Sequence, residues 1–414
     1  MNIYNNFINK IFKRPEKLNF CWRIIFPAFV LLLFSCLTLK YTNLGVSLLA
    51  STYIKQLVWI SFGFLVLLVV QWVRIQFLNE YAYHFYVLLL LMIILTYFMP
   101  IIGGSQRWIR IGFLSIQPSE IGKLFLVFTL ARFISDYQGK IDDRKILFGG
   151  LLLVLIPSLI IFKQPDFGTA IVYAFISIPM MYWSGVKPYY LFSVIAPFIS
   201  IVSAFNLTLF TVWMFILVII IYLYQPKVLA GSMNIIMNIS FGVLAPFIWN
   251  NFLYSHQRDR ILTLLSPMRD PQGTGYQVMQ SITAIGSGGL WGKGLGQGTQ
   301  TQLRFLPVRD TDFIVSVIGE EIGLFGITII MLSFFMILYW IITYAGIISN
   351  RFSSLTLIGF VSILFIHLTV NMSMTVGLLP VTGLPAPFLS YGGSFMLTCF
   401  MLLAFANNII NQHM

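Results

Sequence analysis

Charged side chains are what this sequence has least of: they make up 9% of its 414 residues, against 58% hydrophobic and 16% aromatic. So little charge on so apolar a chain excludes a soluble globule of this size and leaves an integral membrane protein. Cysteine is scarce as well. Cys21, Cys36 and Cys399 are odd in number and lie in or beside apolar runs, which argues against a disulfide framework and for small packing residues. His84, His256, His367 and His413 are scattered, so no Cys/His cluster points to a transition metal. There is no low-complexity linker, no repeat of fixed period and no half that copies the other, which counts against the inverted-repeat transporters.

What the chain does have is long apolar runs. A helix that crosses a bilayer needs roughly 17 to 25 such residues. Candidate runs lie near 22–39, 53–73, 81–101, 117–135, 146–163, 167–184, 189–205, 207–224, 233–250, 313–345, 354–376 and 387–408. The expected fold is an all-α polytopic membrane protein of about 10–12 transmembrane helices. Between 185 and 250 the breaks are weakest, and Asn234, Asn238 and Ser240 interrupt the ninth run.

Lys10, Lys13, Arg14 and Lys17 precede the first run, with no small-residue cleavage site after it, so this run is expected to be an uncleaved anchor with a cytoplasmic N-terminus. Residues 1–20 form a basic tail, 21–250 a first helix block, 251–312 a large extracytoplasmic loop, and 313–414 the last three helices with a short tail. An even helix count returns the C-terminus to the cytoplasm and puts 102–116 outside. The formal net charge of +12 suits anionic lipid head groups better than nucleic acid in a polytopic chain.

Polar residues gather in four segments: "GGSQRWIRIGFLSIQPSEIGK", "KQPDFGTA", the large loop and "LLPVTGLPAPFLSYGGS", all at or near the outer face. From Gly286 to Gly298 the loop is mostly glycine, yet no P-loop or GxGxxG spacing occurs, so neither ATP nor a dinucleotide is supported. This stretch is either a flexible loop or a backbone that offers N–H groups to phosphate. Asp270, in "RDPQGTGYQ", is either a turn former or a general base. Arg258, Arg260 and Arg304 are either solvated charges or partners for a diphosphate. Glu120 and Lys123, three apart at a helix start, share a face and are expected to pair toward the interior. Glu320 and Glu321 show no evident basic partner, Asp166 reads as a helix cap, and the proline- and glycine-rich "LPVTGLPAPFLSYGGS" as a re-entrant or bent backbone.

Together these segments closely resemble the SEDS family, the shape, elongation, division and sporulation proteins. "GGSQRWIRIGFLSIQPSEIGK", "QPDFGTA", "DPQGTGYQVMQSITAIGSGGLWGKGLGQGTQTQLRFLP" and "GLLPVTGLPAPFLSYGGS" recur in family order from about residue 100 onward. "GTQTQLRFLP" and "GLLPVTGLPAPF" look more like the elongation branch than the division branch, with a division or sporulation paralogue as the alternative within the family. The resemblance implies a peptidoglycan glycosyltransferase that polymerises lipid II outside the cytoplasmic membrane, releasing undecaprenyl diphosphate. The family's essential loop aspartate falls on Asp270, as activator of the acceptor hydroxyl. Its paired acidic and basic residues fall on Glu120 and Lys123, which with Arg258, Arg260, Arg304, Lys293, Trp108 and Arg110 make the candidate substrate-binding set. A class B penicillin-binding protein and other elongation-complex membrane proteins are the implied partners.

Two departures stand out. Where the family usually has Glu and His in its LPE…HTDF motif, this chain has Val308 and Asp310, in "LPVRDTDF"; and the family core has about ten helices, whereas 185–250 has room for two more. The growing charge on a diphosphate leaving group calls for Arg or Lys side chains, loop N–H groups, or a divalent cation, magnesium or manganese; no metal-ligating residue stands out. The rivals from other classes are a lipid II flippase, which would depend on charges through the membrane depth, and a non-catalytic scaffold, for which Asp270 would be dispensable.

Overall fold

A bilayer interior offers the backbone no hydrogen-bond partners, so a chain this apolar has to satisfy its own N–H and C=O groups within helices. The computed structural model describes residues 11–12, 19–43, 45–47, 50–101, 106–111, 114–137, 143–251, 258 and 274–413. Its helices are α1 (Trp22–Thr42), α2 (Thr52–Val70), the short α3 (Ile75–Glu80), α4 (Ala82–Leu95), α5 (Pro118–Tyr137), α6 (Asp143–Phe162), α7 (Phe167–Trp183) and α8 (Pro188–Ser203). There follow α9 (Leu207–Tyr224), α10 (Val228–Asn251), α11 (Thr274–Gly288), α12 (Thr299–Gln302), α13 (Ile314–Glu321), α14 (Gly323–Ile347), α15 (Arg351–Thr375) and α16 (Gly393–His413). Eight of these, α1, α2, α6, α9, α10, α14, α15 and α16, are long and apolar enough to cross a membrane. The apolar stretches at α4, α7 and α8 are shorter, and α5 carries Glu120, Lys123, Arg132 and Asp136.

The expected all-α polytopic fold is therefore the one observed. The strands among the described residues are β1 (Ile109–Ile111) and β2 (Leu114–Ile116), an antiparallel hairpin in which Arg110 faces Ser115. It leads directly into α5, whose first residue is Pro118, a residue suited to a helix start because the N–H it lacks would have no partner there.

Burial separates centre from rim. The membrane windows of α15 and α16 are 89% buried, whereas that of α9 is 6% buried. Helix α5 packs against α4, α6, α7, α15 and α16, so the helix with the most charge lies among other helices rather than against lipid. Helices α8, α9 and α10 occupy the rim with a small core of their own, Ala196, Trp213 and Leu217. The asparagines that made this region hard to read turn inward. Asn238 Nδ2 donates to Asn234 Oδ1 at 2.7 Å, and Asn238 Oδ1 accepts from Ser200 Oγ at 2.6 Å.

Two boundaries differ from the sequence reading. The run 313–345 is broken between Glu321, where α13 ends, and Gly323, whose φ of +77° opens α14. The stretch 251–312 is also no uninterrupted loop: it contains α11 and α12. Helix α11 buries Val278, Ser281 and Ala284 on one face, a helical spacing that its many polar and glycine residues obscure.

Candidate active site

Spacing alone puts Glu120 and Lys123 on one face of α5, and packing closes them in. Lys123 Nζ donates to Glu120 Oε2 at 2.7 Å, with Lys123 fully buried and Glu120 4% exposed. A buried ammonium needs more than one partner. The second is His367 of α15, whose Nε2 lies 2.9 Å from Lys123 Nζ; its Nδ1 lies 3.2 Å from the Pro385 carbonyl oxygen. The ring of Phe395 lies tilted against His367, with centroids 4.7 Å apart, and is 5.6 Å from the ammonium. Tyr173 of α7 donates from its hydroxyl to the Ser119 carbonyl at 2.8 Å, which holds the first turn of α5 in place. The expected inward pairing of Glu120 and Lys123 is what the structure contains. His367, read from sequence as one scattered histidine among four, is the third member. An ionisable residue within an apolar run was the signal for it.

The segment 376–392 between α15 and α16 is an irregular backbone buried in protein, as its prolines and glycines suggested. Leu384, Ala386, Phe388, Leu389 and Ser390 are all buried. Asn371, one turn beyond His367 on α15, donates to Leu384 O at 2.7 Å and to Asp312 O at 3.0 Å. Ser390 Oγ accepts from the Ala386 N–H at 2.8 Å and donates to Thr311 O at 2.5 Å. The bond to Thr311 ties this segment to the end of the large loop, and Asn371 ties both to α15. Burial pushes the Asp312 carboxyl up, against the hydroxyl of Thr311 and the charge of Arg107.

Near the β-hairpin, Asp166 caps α7 by accepting from the Thr169 N–H at 3.3 Å, as expected. It also accepts from Gln117 Nε2 at 2.7 Å and pairs with Arg107 at 3.4 Å. Trp108 beside it is half-buried, and Arg110 is exposed.

The glycine-rich stretch has a third explanation besides flexible loop and phosphate cradle. Its backbone docks on the end of α13. The N–H groups of Lys293 and Gly294 donate to Glu320 O and Glu321 O at 2.9 and 3.0 Å, and those of Leu324 and Phe325 donate back to Gly289 O and Leu290 O. A Cβ at Gly288 would lie 1.9 Å from Gly319 O, and one at Gly292 would lie 2.2 Å from Glu321 O. Close backbone contact is what requires glycine here.

Glu320, expected to lack a basic partner, has one. Lys293 Nζ donates to its Oε1 at 2.9 Å, and the carboxylate also accepts from the N–H groups of Gln300 and Thr301 and from the Thr301 hydroxyl. Burial pushes this carboxyl up, but these hydrogen bonds outweigh it and hold the group below the usual carboxylate range. Glu321 is the reverse case: burial pushes it up, and its Oε2 is buried without a hydrogen-bond partner.

The candidate residues do not all converge. Lys293 is engaged by Glu320, Arg304 is exposed at φ +59°, and Arg258 Nη2 donates to Asn250 O at 3.1 Å at the end of α10. Asp270 and Arg260 lie outside the described residues. Asp310, one of the two departures noted in the sequence, accepts from Thr52 Oγ1 at 2.6 Å and from Asn43 Nδ2 at 3.3 Å, fastening the large loop to the α1–α2 connection. Val308, the other departure, adopts φ +54°. The three cysteines are free thiols, and among the described residues no three His, Cys, Asp or Glu side chains come together to hold a metal ion.

Comparison with known proteins completes the picture. The FtsW/RodA/SpoVE cell cycle protein model matches residues 17–225 and 206–414. The chain is 32% identical over 341 residues to the peptidoglycan glycosyltransferase MrdB of Escherichia coli (strain K12), covering 82% of this chain and 80% of that one. It is 32% identical over 308 residues to the stage V sporulation protein E of Bacillus subtilis (strain 168), covering 74% of this chain and 72% of that one. Its fold superposes with a TM-score of 0.70, at 25% identity over 96% of this chain and 99% of the other, on a chain of a solved peptidoglycan synthase complex that coordinates polymerization and crosslinking. The rod shape determining protein RodA of Thermus thermophilus shares the fold with a TM-score of 0.64 at 21% identity, over 96% of this chain and 99% of that one. A multi-pass helical chain with these relatives along most of its length belongs to the FtsW/RodA/SpoVE family, the SEDS proteins.

Proposed function

We propose that this protein is a peptidoglycan glycosyltransferase that polymerises lipid II at the outer face of the cytoplasmic membrane during cell elongation and shape maintenance, with both termini cytoplasmic. The observation that carries this reading is the 32% identity to MrdB over 82% of the chain. In the proposed reaction the Asp270 carboxylate takes the proton of the acceptor sugar hydroxyl as its oxygen bonds to the anomeric carbon of the donor. The bond from that carbon to the diphosphate oxygen breaks, and undecaprenyl diphosphate leaves with the electron pair. Arg258, Arg260 and Arg304 are the basic side chains proposed to meet the diphosphate. A divalent cation, magnesium or manganese, would help to neutralise the leaving diphosphate if it is bound there, and no step of the proposed reaction runs through one. A class B penicillin-binding protein is the proposed partner, in keeping with the synthase complex whose chain shares this fold.

The transport reading asks for ionisable groups through the membrane depth. Among the described residues, the Asp, Glu, Lys, Arg and His side chains buried within α5 and the spans are Glu120, Lys123 and His367, gathered in one place and bonded in a chain through Lys123. Lipid II polymerisation in liposomes, with the partner co-purified, tests the proposal by comparing the natural chain with Asp270→Asn. Loss of glycan strands with normal folding and partner binding is expected. Equal polymer from both would remove Asp270 from the chemistry, and none from either would favour transport or scaffolding.

A further inference from the structure

The contacts of His367 are specific about its protonation. Lys123 is an ammonium already donating to Glu120, so the imidazole nitrogen 2.9 Å away has to accept from it, which places the ring proton on the other nitrogen. That nitrogen, Nδ1, then donates to the Pro385 carbonyl at 3.2 Å. The same Pro385–Ala386 peptide is held from its other side, where the Ala386 N–H donates to Ser390 Oγ, and Ser390 in turn donates to Thr311 O. Asn371 adds a second tie, from Leu384 O to Asp312 O. A continuous hydrogen-bonded line thus runs from Glu120 and Lys123 on α5, through α15 and the segment 376–392, to the last residues of the large loop.

We propose that His367 is a positioning residue of the transferase, a bridge that sets the segment 376–392, and through it Thr311 and Asp312, against the Glu120–Lys123 pair. The proposal rests on the glycosyltransferase reading for its effect on rate, but not for the bridge itself. The two ring nitrogens act differently, since Nε2 satisfies a buried cation and Nδ1–H fixes a loop carbonyl.

Two substitutions separate these roles. His367→Gln keeps an oxygen acceptor near the Nε2 position and loses the donor to Pro385. His367→Asn keeps a donor near the Nδ1 position and loses the acceptor for Lys123. Both are made in the full-length chain with its partner, and polymerisation is followed against lipid II concentration alongside amide hydrogen exchange of 376–392. The bridge predicts that His367→Gln, with folding intact, lowers kcat roughly ten- to hundredfold, with KM little changed. It also predicts faster exchange at Ala386, while the α15 amides stay protected.

Full kcat and unchanged Ala386 exchange in His367→Gln would reduce His367 to a partner for Lys123 and overturn the proposal. If His367→Asn does not fold, the Gln variant still decides. Exchange reports on the bridge even in a chain that makes no polymer. Faster exchange at Ala386 with an inactive natural chain would therefore count against the transferase reading and leave the bridge in place.

Discussion

The Lys293 ammonium lies 2.9 Å from Glu320 Oε1, so the cation of the glycine-rich stretch is engaged by α13. Glu320 is fully buried and held below the usual carboxylate range by Lys293 and the donors of Gln300 and Thr301, against burial, which pushes it up. A depressed folded value means that its contribution to stability is present above the unfolded carboxyl value and lost as pH falls through the folded one. Glu320→Gln should therefore lower stability at pH 7 by about 1–3 kcal/mol, the range for losing hydrogen bonds to a charged group whose cationic partner is partly exposed. The deficit should shrink in acid, below the ordinary carboxylate range. Thermal unfolding in detergent at several pH values measures it, and an unchanged Tm at pH 7 would refute it.

The neighbouring glutamate should respond in the opposite sense. Burial raises Glu321 and leaves its Oε2 unbonded, so any stability it adds is present at low pH and lost as pH rises through its folded value. Glu321→Gln removes a buried charge that is poorly compensated and should raise stability at neutral pH by about 1–3 kcal/mol. A fall in Tm at pH 7 would mean that the hydrogen bonds from Gly296 and Gln302 to this carboxyl outweigh its burial.

Glycine at 292 is required by geometry, and glycine at 286 is not. Gly292 sits at φ +78° with Glu321 O where a Cβ would go, whereas Gly286 lies inside α11 with nothing within 4 Å. Gly292→Ala should unseat the stretch from α13 and lower Tm. Gly286→Ala should raise stability by about 0.5–1 kcal/mol, the helix preference of alanine over glycine. Equal effects from the two would show that the docking contacts contribute nothing.

The bond from Thr52 Oγ1 to Asp310 at 2.6 Å predicts coupling between the two positions. A double-mutant cycle with Asp310→Ala and Thr52→Val should return a coupling of about 1.5–3 kcal/mol, the range for a hydrogen bond to a charged group. Additive effects would mean that the latch between the large loop and the α1–α2 connection is not formed in solution.

Membrane spans were the most legible part of the fold. Long apolar runs report helices because the bilayer admits few other ways to satisfy a backbone, and even the polar run at 233–250 is a helix, α10. The pairing of Glu120 with Lys123 was legible for the same kind of local reason: three residues apart on a helix is one face. Lys293 and Glu320 were not legible as a pair, because 27 positions separate them and only the docking of the glycine-rich backbone brings them together.

Helix α11 was hidden by composition, since glycine, serine and threonine dilute a pattern that burial makes plain. The break at Gly323 was hidden too, because the residues on both sides are equally apolar and the turn is stabilised by hydrogen bonds to Gly289 and Leu290.

By itself, then, the sequence determined a polytopic helical membrane protein, its family, and the local partners of α5, all properties set by hydrophobicity and by spacing within single elements. Tertiary structure alone decided that His367 joins the Lys123 pair, that the glycines serve backbone docking, and that Asp310 ties the large loop to Thr52. Those contacts depend on which distant surfaces meet, and that is settled by the packing of the whole bundle rather than by the preference of any one segment.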